Sequence, residues 1–148
     1  MSVHVIRVAD RGGTLIAPAW LAKAEDVHRQ LRPQLEQDYA AQMQRVFADG
    51  GEMAVAVDGE RVLGVTVFRQ FENTHVGKRF YVDDLVTDTG ARSAGVGSAL
   101  VAWLEQEARS RGCPGFDLES GTQRQRAHRF YFREGFFVTS FSFRKTFE

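Results

Sequence analysis

One cysteine and three prolines stand among 148 residues. A lone Cys113 excludes an intrachain disulfide and a cysteine metal cluster. Its neighbours Gly112 and Pro114 mark a turn, where a structural thiol is the expectation. Net charge is lacking too. The 19 Lys+Arg balance 19 Asp+Glu, so no whole-chain field draws the protein to nucleic acid or to a membrane surface. No apolar run is long enough to span a bilayer, and the N-terminus lacks the apolar core of a signal peptide. These absences point to a cytoplasmic protein. The length predicts one domain over 1–148 with a substantial core. No internal repeat, linker or low-complexity tract divides it.

What is present alternates strand and helix signals. Val3–Val8 reads as a strand. From Ala17 the period becomes helical, with Trp20, Ala24, Val27 and Leu31 on one face. Pro33 breaks this helix, and a second carries Leu35, Tyr39, Met43, Val46 and Phe47. Asp58-Gly59 between Met53–Val57 and Arg61–Phe68 is a strong hairpin signal. Gln70–Lys78 is polar and reads as a loop or hairpin end. Phe80–Thr87 is a strand, Gly115–Glu119 a short strand, and Gln123–Glu134 a helix with Ala127, Phe130 and Tyr131 on one face. Phe136–Phe147 is predicted as a last strand, placing Phe137, Phe141, Phe143 and Phe147 on one side. The order β-α-α-β-β-β-α-β-α-β predicts an α/β fold. Its sheet is mixed, mostly antiparallel and twisted, with flanking helices.

The most informative stretch joins the Phe80–Thr87 strand to the helix marked by Val96, Leu100, Trp103, Leu104 and Ala108. Arg92-Ser93-Ala94-Gly95-Val96-Gly97-Ser98 lies between strand and helix. Unpaired amides at a helix start, with the helix dipole, bind phosphate. Glycines at 95 and 97 allow close approach, and Arg92 adds a positive charge. A dinucleotide-binding turn requires a third glycine and a later acidic residue. A Walker loop requires Gly-Lys-Ser/Thr. Neither is here. A tight packing turn and a pyrophosphate site both fit what remains.

These residues resemble the GNAT (GCN5-related N-acetyltransferase) superfamily. Arg92 to Gly97 fits its Arg/Gln-x-x-Gly-x-Gly/Ala coenzyme A loop. Ala127-His-Arg-Phe-Tyr131-Phe-Arg-Glu-Gly135-Phe136 fits its later Ala…Tyr…Gly-Phe helix end. The second half looks most like the branch containing aminoalkylphosphonate N-acetyltransferases. The resemblance implies acetyl-CoA as co-substrate and a primary amine as acceptor. A small-molecule acceptor is expected, because no acidic groove for a protein tail is legible. It further implies that Arg92 to Ser98 hold the pyrophosphate and that Leu85, Val86 and Thr87 pair with the pantetheine. Ordinary sheet residues would also occupy those three positions.

Acetyl transfer by direct attack in a ternary complex needs a base for the ammonium proton. Some relatives place a glutamate near Tyr81, and it is absent here. Asp83, then Asp84, then Glu72 are the candidates. Simple alternation places Asp83 with Tyr81, Leu85 and Thr87, and Asp84 with Phe80, Val82 and Val86, on opposite faces. Structural capping or pairing is the competing role for both. An amide near Val86 or Thr87, freed by a bulge, would stabilise the oxyanion. Tyr131 matches the family's general-acid tyrosine, or is a core aromatic beside Phe130. Arg124 stands where relatives have a cofactor-contacting Asn. Arg124, Arg126, Arg129 and Arg133 meet nucleotide phosphates or an anionic substrate, or form a solvated face, and His128 is a relay or a structural histidine. No metal is expected. The Phe-rich last strand offers a homodimer surface or core. A coenzyme A-binding sensor or interaction domain that lost the chemistry, and a site for another phosphorylated ligand, are the rival functions.

Overall fold

A computed structural model describes residues 2–92 and 94–148. The elements are β1 (His4–Ala9), α1 (Pro18–Leu31), α2 (Tyr39–Ala48), β2 (Glu52–Asp58), β3 (Arg61–Asn73), β4 (Gly77–Thr87), α3 (Val96–Ser110), β5 (Asp117–Leu118) and α4 (Gln125–Arg133). The chain divides into two compact units, one ending at Asp117 and the other running from Leu118 to Glu148.

In the first unit β1, β2, β3 and β4 lie side by side in chain order, and their three pairings are antiparallel. β2 is buried along almost its whole length because both faces are covered. On one face Leu21, Ala24 and Val27 of α1 and Tyr39, Met43 and Phe47 of α2 pack on Val55, Val65 and Val67. On the other, Val96 and Leu100 of α3 pack on Ala56 and Leu63. Gly64 makes that second contact close. A Cβ there would lie 2.9 Å from Leu100 Cδ1 and 2.9 Å from Val96 Cγ1. A glycine inside a strand thus marks the seat of the helix start.

The α1 register follows from its apolar period, and its Pro18 stands at the helix start, where a missing N–H costs nothing. Asp38 caps α2 by accepting from the Ala41 amide at 3.0 Å. Buried Glu52 is tolerated because Arg111 grips both of its oxygens at 2.8 Å. The β3–β4 hairpin is longer than expected. The Gln70–Lys78 segment is mostly ladder, with Glu72 opposite Lys78 and Asn73 opposite Gly77. The paired Glu72 and Lys78 side chains are exposed.

In the second unit, α4 is followed by no strand. Residues 136–148 carry no helix or strand, so the expected last strand at Phe136–Phe147 is absent. A strand needs a neighbouring ladder, and alternation alone does not supply one.

Candidate active site

The site is built around an irregularity in β4. Val67 of β3 faces Asp84, and the next residue, Phe68, faces Val82. Asp83 is the extra residue of a bulge. The bulge resets the alternation. Phe80 and Val82 lie on the α3 side, where Phe80 stacks on Phe68 at 5.3 Å and Phe68 meets Trp103. Beyond it Leu85 packs on the α3 side and Val86 on the α1–α2 side. Asp83 and Asp84 therefore do not face opposite ways. Both line one open cleft of about 280 Å³, together with His28, Arg32, Gln42, Met43, Val46, Val67 and Arg69. The bulge also lies earlier than expected, since Val86 and Thr87 pair regularly with Val65 and Gly64.

The two carboxylates are held differently. Asp84 accepts from His28 Nε2 at 2.7 Å and from Arg32 Nε at 2.8 Å. Burial alone would raise its pKa, but the His28 hydrogen bond and the Arg32 guanidinium outweigh burial and hold it below the ordinary value. Asp83 accepts from Arg69 Nε at 2.8 Å. Its burial is the larger influence, Arg69 only partly opposes it, and its carboxyl is pushed up. The neighbouring acids are thus moved in opposite directions.

Behind Asp84 stands a short chain of hydrogen bonds. Buried His28 meets the Tyr39 hydroxyl at Nδ1, 2.8 Å away. With its Nε2–H donated to Asp84, Nδ1 accepts from Tyr39. Burial, then Glu25 and Asp84, push the Tyr39 phenol well up, so it keeps the proton it donates. None of His28, Arg32, Arg69 and Tyr39 was expected from the sequence as a site residue. One signal was available for His28. It continues the apolar face of Ala24 and Val27, and a polar side chain on such a face must find a partner.

The glycine loop stands where the sequence put it. Gly95 is the N-cap of α3 with φ of 80°, and it provides no side-chain cap. A Cβ at that position would meet nothing within 4 Å. Val96 and Leu100 anchor the helix start in the core. An open, left-handed glycine ahead of first-turn amides suits an anionic pyrophosphate. Arg92 and Ala94 are exposed, and Gly97 and Ser98 lie in the first turn of α3. Ser93 lies outside the described residues. Leu85, Val86 and Thr87 pair with β3 through Thr66, Val65 and Gly64.

In the second unit Arg124 stands at the N-cap position of α4 without a side-chain capping bond, and its side chain bonds Tyr131. Burial raises the Tyr131 phenol and Arg124 opposes it, with the net shift upward. Tyr131 also meets Phe130 and Phe136 edge to face at 5.5 Å. His128 Nε2 bonds the Gly121 carbonyl at 2.8 Å, a structural role. Among the described residues no group of His, Cys, Asp and Glu is arranged to hold a metal ion, and no helix is long and apolar enough to cross a membrane.

The sequence profile of the Acetyltransferase (GNAT) family matches residues 17–136. The chain belongs to this family. Two curated family relatives are similar in part. An aminoalkylphosphonate N-acetyltransferase of Salmonella typhimurium is 36% identical over 88 residues, covering 60% of this chain and 57% of that protein. An uncharacterized N-acetyltransferase, YhdJ, of Bacillus subtilis is 42% identical over 72 residues, covering 48% of this chain and 51% of that one. The chain thus spans little more than half the length of either relative. Among solved structures, the AAC(6')-Iy complex with the bisubstrate analogue CoA-S-monomethyl-acetylneamine has a TM-score of 0.82. It is 13% identical and covers 100% of this chain and 99% of that one, a likeness of fold alone.

Proposed function

We propose that the protein transfers an acetyl group from acetyl-CoA to the primary amine of a small molecule, by direct attack in a ternary complex. The two units act as one acetyltransferase domain. The observation that carries this reading is the pair of adjacent acids turned into one cleft by the β4 bulge. Bound acetyl-CoA supplies the acetyl group as a thioester. The amides from Arg92 to Ser98 would hold its pyrophosphate, and Leu85 to Thr87 its pantetheine arm.

Asp83 takes the proton from the acceptor ammonium, because its raised pKa makes it the better-matched base of the pair. Asp84 stays ionised, fixed by His28 and Arg32, and attracts the ammonium. The free amine forms the new N–C bond as the C–S bond breaks, and the proton its nitrogen then sheds replaces, through solvent, the one that Tyr131 gives up. Tyr131 gives its hydroxyl proton to the departing sulfur, and its raised pKa keeps it protonated until then. The cleft also holds Arg32 and Arg69, so an acceptor carrying both an amine and an anionic group fits its charges. Aminoalkylphosphonates, named in one relative's title, are the first acceptors to try.

Titration calorimetry with acetyl-CoA, then steady-state kinetics on an acceptor panel, tests the reading. Asp83→Asn should lower kcat by about 10²–10⁴ with unchanged acetyl-CoA affinity. Tyr131→Phe should lower kcat more than it changes that affinity. Wild-type kcat should rise with pH as Asp83 ionises, at a pH above its ordinary value of 3.8. Folded protein that binds no acetyl-CoA would overturn the reading, and an Asp83→Asn variant of full activity would remove the base.

A further inference from the structure

Tyr39 opens α2, and its surroundings hold its hydroxyl in one place. Arg29 of α1 donates to the carbonyls of Leu35 and Glu36 at 2.8 and 2.6 Å, which ties down the link between the two helices. The same guanidinium lies over the Tyr39 ring, 5.9 Å from its centroid. The Tyr39 ring in turn meets the His28 ring edge to face at 5.6 Å. Tyr39 is 3% exposed and His28 1%, so neither relies on bulk water for a partner. A buried phenol needs a hydrogen bond, and a backbone carbonyl would satisfy it. Here the partner is an imidazole whose far nitrogen touches a carboxylate of the cleft.

That choice of partner has a chemical consequence. An imidazole with one proton carries it on Nδ1 or on Nε2, and the bond made by one nitrogen decides the state of the other. Burial first, then Glu25 and Asp84, push the Tyr39 phenol up against the opposing Arg29, so the hydroxyl keeps its proton. An O–H aimed at Nδ1 from 2.8 Å places the imidazole proton on Nε2, facing Asp84 Oδ2 at 2.7 Å. The other tautomer would turn a nitrogen lone pair on that carboxylate. Arg32 holds the second oxygen, Oδ1, at 2.8 Å. The charged groups around this chain are Glu25, Arg29 and Arg32 on α1, Arg69 on β3 and Asp83 on β4. Burial, and after it the Asp84 charge, push the Asp83 carboxyl up, while Arg69 and Arg32 oppose them. The difference between the two acids therefore needs Asp84 to stay ionised.

We propose that Tyr39 is a positioning residue: its hydroxyl fixes the His28 tautomer, and His28 thereby holds Asp84 as an oriented, charged carboxylate beside Asp83. The consequence for catalysis rests on the acetyl-transfer reading, whereas the tautomer does not.

The test is Tyr39→Phe, which keeps the ring and removes the hydroxyl. Nitrogen-15 spectra of the histidine rings should show His28 protonated on Nε2 alone in wild type at neutral pH, and a loss of that single tautomer in the variant. Carbon-13 titration of the Asp84 carboxyl should show its midpoint move to higher pH in the variant. On a His28→Leu background, Tyr39→Phe should move that midpoint no further. A wild-type proton on Nδ1, protons on both nitrogens, or an Asp84 midpoint that Tyr39→Phe leaves in place would overturn the proposal. Should the variant not fold, the wild-type ring spectrum decides. These spectra need no turnover, so they stand even if acetyl transfer fails. In active enzyme the acid limb of kcat should move to higher pH in Tyr39→Phe, with the KM for acetyl-CoA unchanged. The last proton then leaves the coupled pair of acids later. An unmoved limb would overturn the role in catalysis.

Discussion

The two units use phenylalanine in opposite ways. In the first, Phe47, Phe68 and Phe80 lie fully inside, each fixed by a sheet face and a covering helix or aromatic neighbour. In the second, Phe137, Phe141, Phe143 and Phe147 are open to water. Both sets alternate or recur at the spacing of their elements. The spacing announces that a face wants cover. It does not say whether the cover comes from the same chain. Phe47, Phe68 and Phe80 should therefore act strongly on the stability of the chain, and Phe137, Phe141, Phe143 and Phe147 only weakly.

The sharpest test of that contrast is Phe47→Ala. Removing a fully buried ring from the α2 contact should cost about 3–5 kcal/mol in urea unfolding. A cost under half of that would mean the first unit is less tightly packed than its burial implies. Next is Asp84→Asn, which unpairs Arg32 and weakens the His28 chain. A loss of about 1–3 kcal/mol is expected. The sign follows from the depressed pKa. Ionised Asp84 stabilises the fold above its ordinary value of 3.8, and that contribution fades as pH falls through its lower folded value. The gap between variant and wild type should thus be full at neutral pH and close in strong acid. A constant gap at all pH values would assign the loss to packing instead. Gly64→Ala should cost about 1–3 kcal/mol by pushing on Leu100 and Val96, and it should weaken acetyl-CoA binding by shifting the α3 start. The smallest effect belongs to the second unit. Phe132→Ser, on the exposed side of α4, should change stability by less than about 0.5 kcal/mol. A larger loss would show a buried role for that ring.

The sequence was most readable where local rules decide. The helical period of α1, the Asp58-Gly59 turn and the glycine ahead of α3 each act over a few residues, and each stands where expected. It was least readable where a partner strand decides. Whether Asp83 pairs or bulges depends on how β3 registers against β4, a choice no alternation pattern contains. The cleft shared by His28, Arg32, Arg69 and the two acids inherits that uncertainty, because its members come from α1, β3 and β4. The Gln70–Lys78 segment was legible as a loop or hairpin end and is the hairpin end, but its polarity hid how far the two strands stay paired. The Phe136–Phe147 segment failed for the converse reason. Its pattern is right for a strand, and the chain provides no ladder for it.

The bulge at Asp83 also guards the sheet against slippage. Suppose β4 slid by one residue and erased the irregularity. Asp84 would then turn toward the side where Phe68 stacks on Phe80 and meets Trp103. A carboxylate there would have neither His28 nor Arg32, and stranding it among aromatic rings costs several kcal/mol. The misregistered sheet is thereby penalised by the same acid that the native one uses. During folding, an early hairpin with the wrong count has a built-in reason to come apart and pair again.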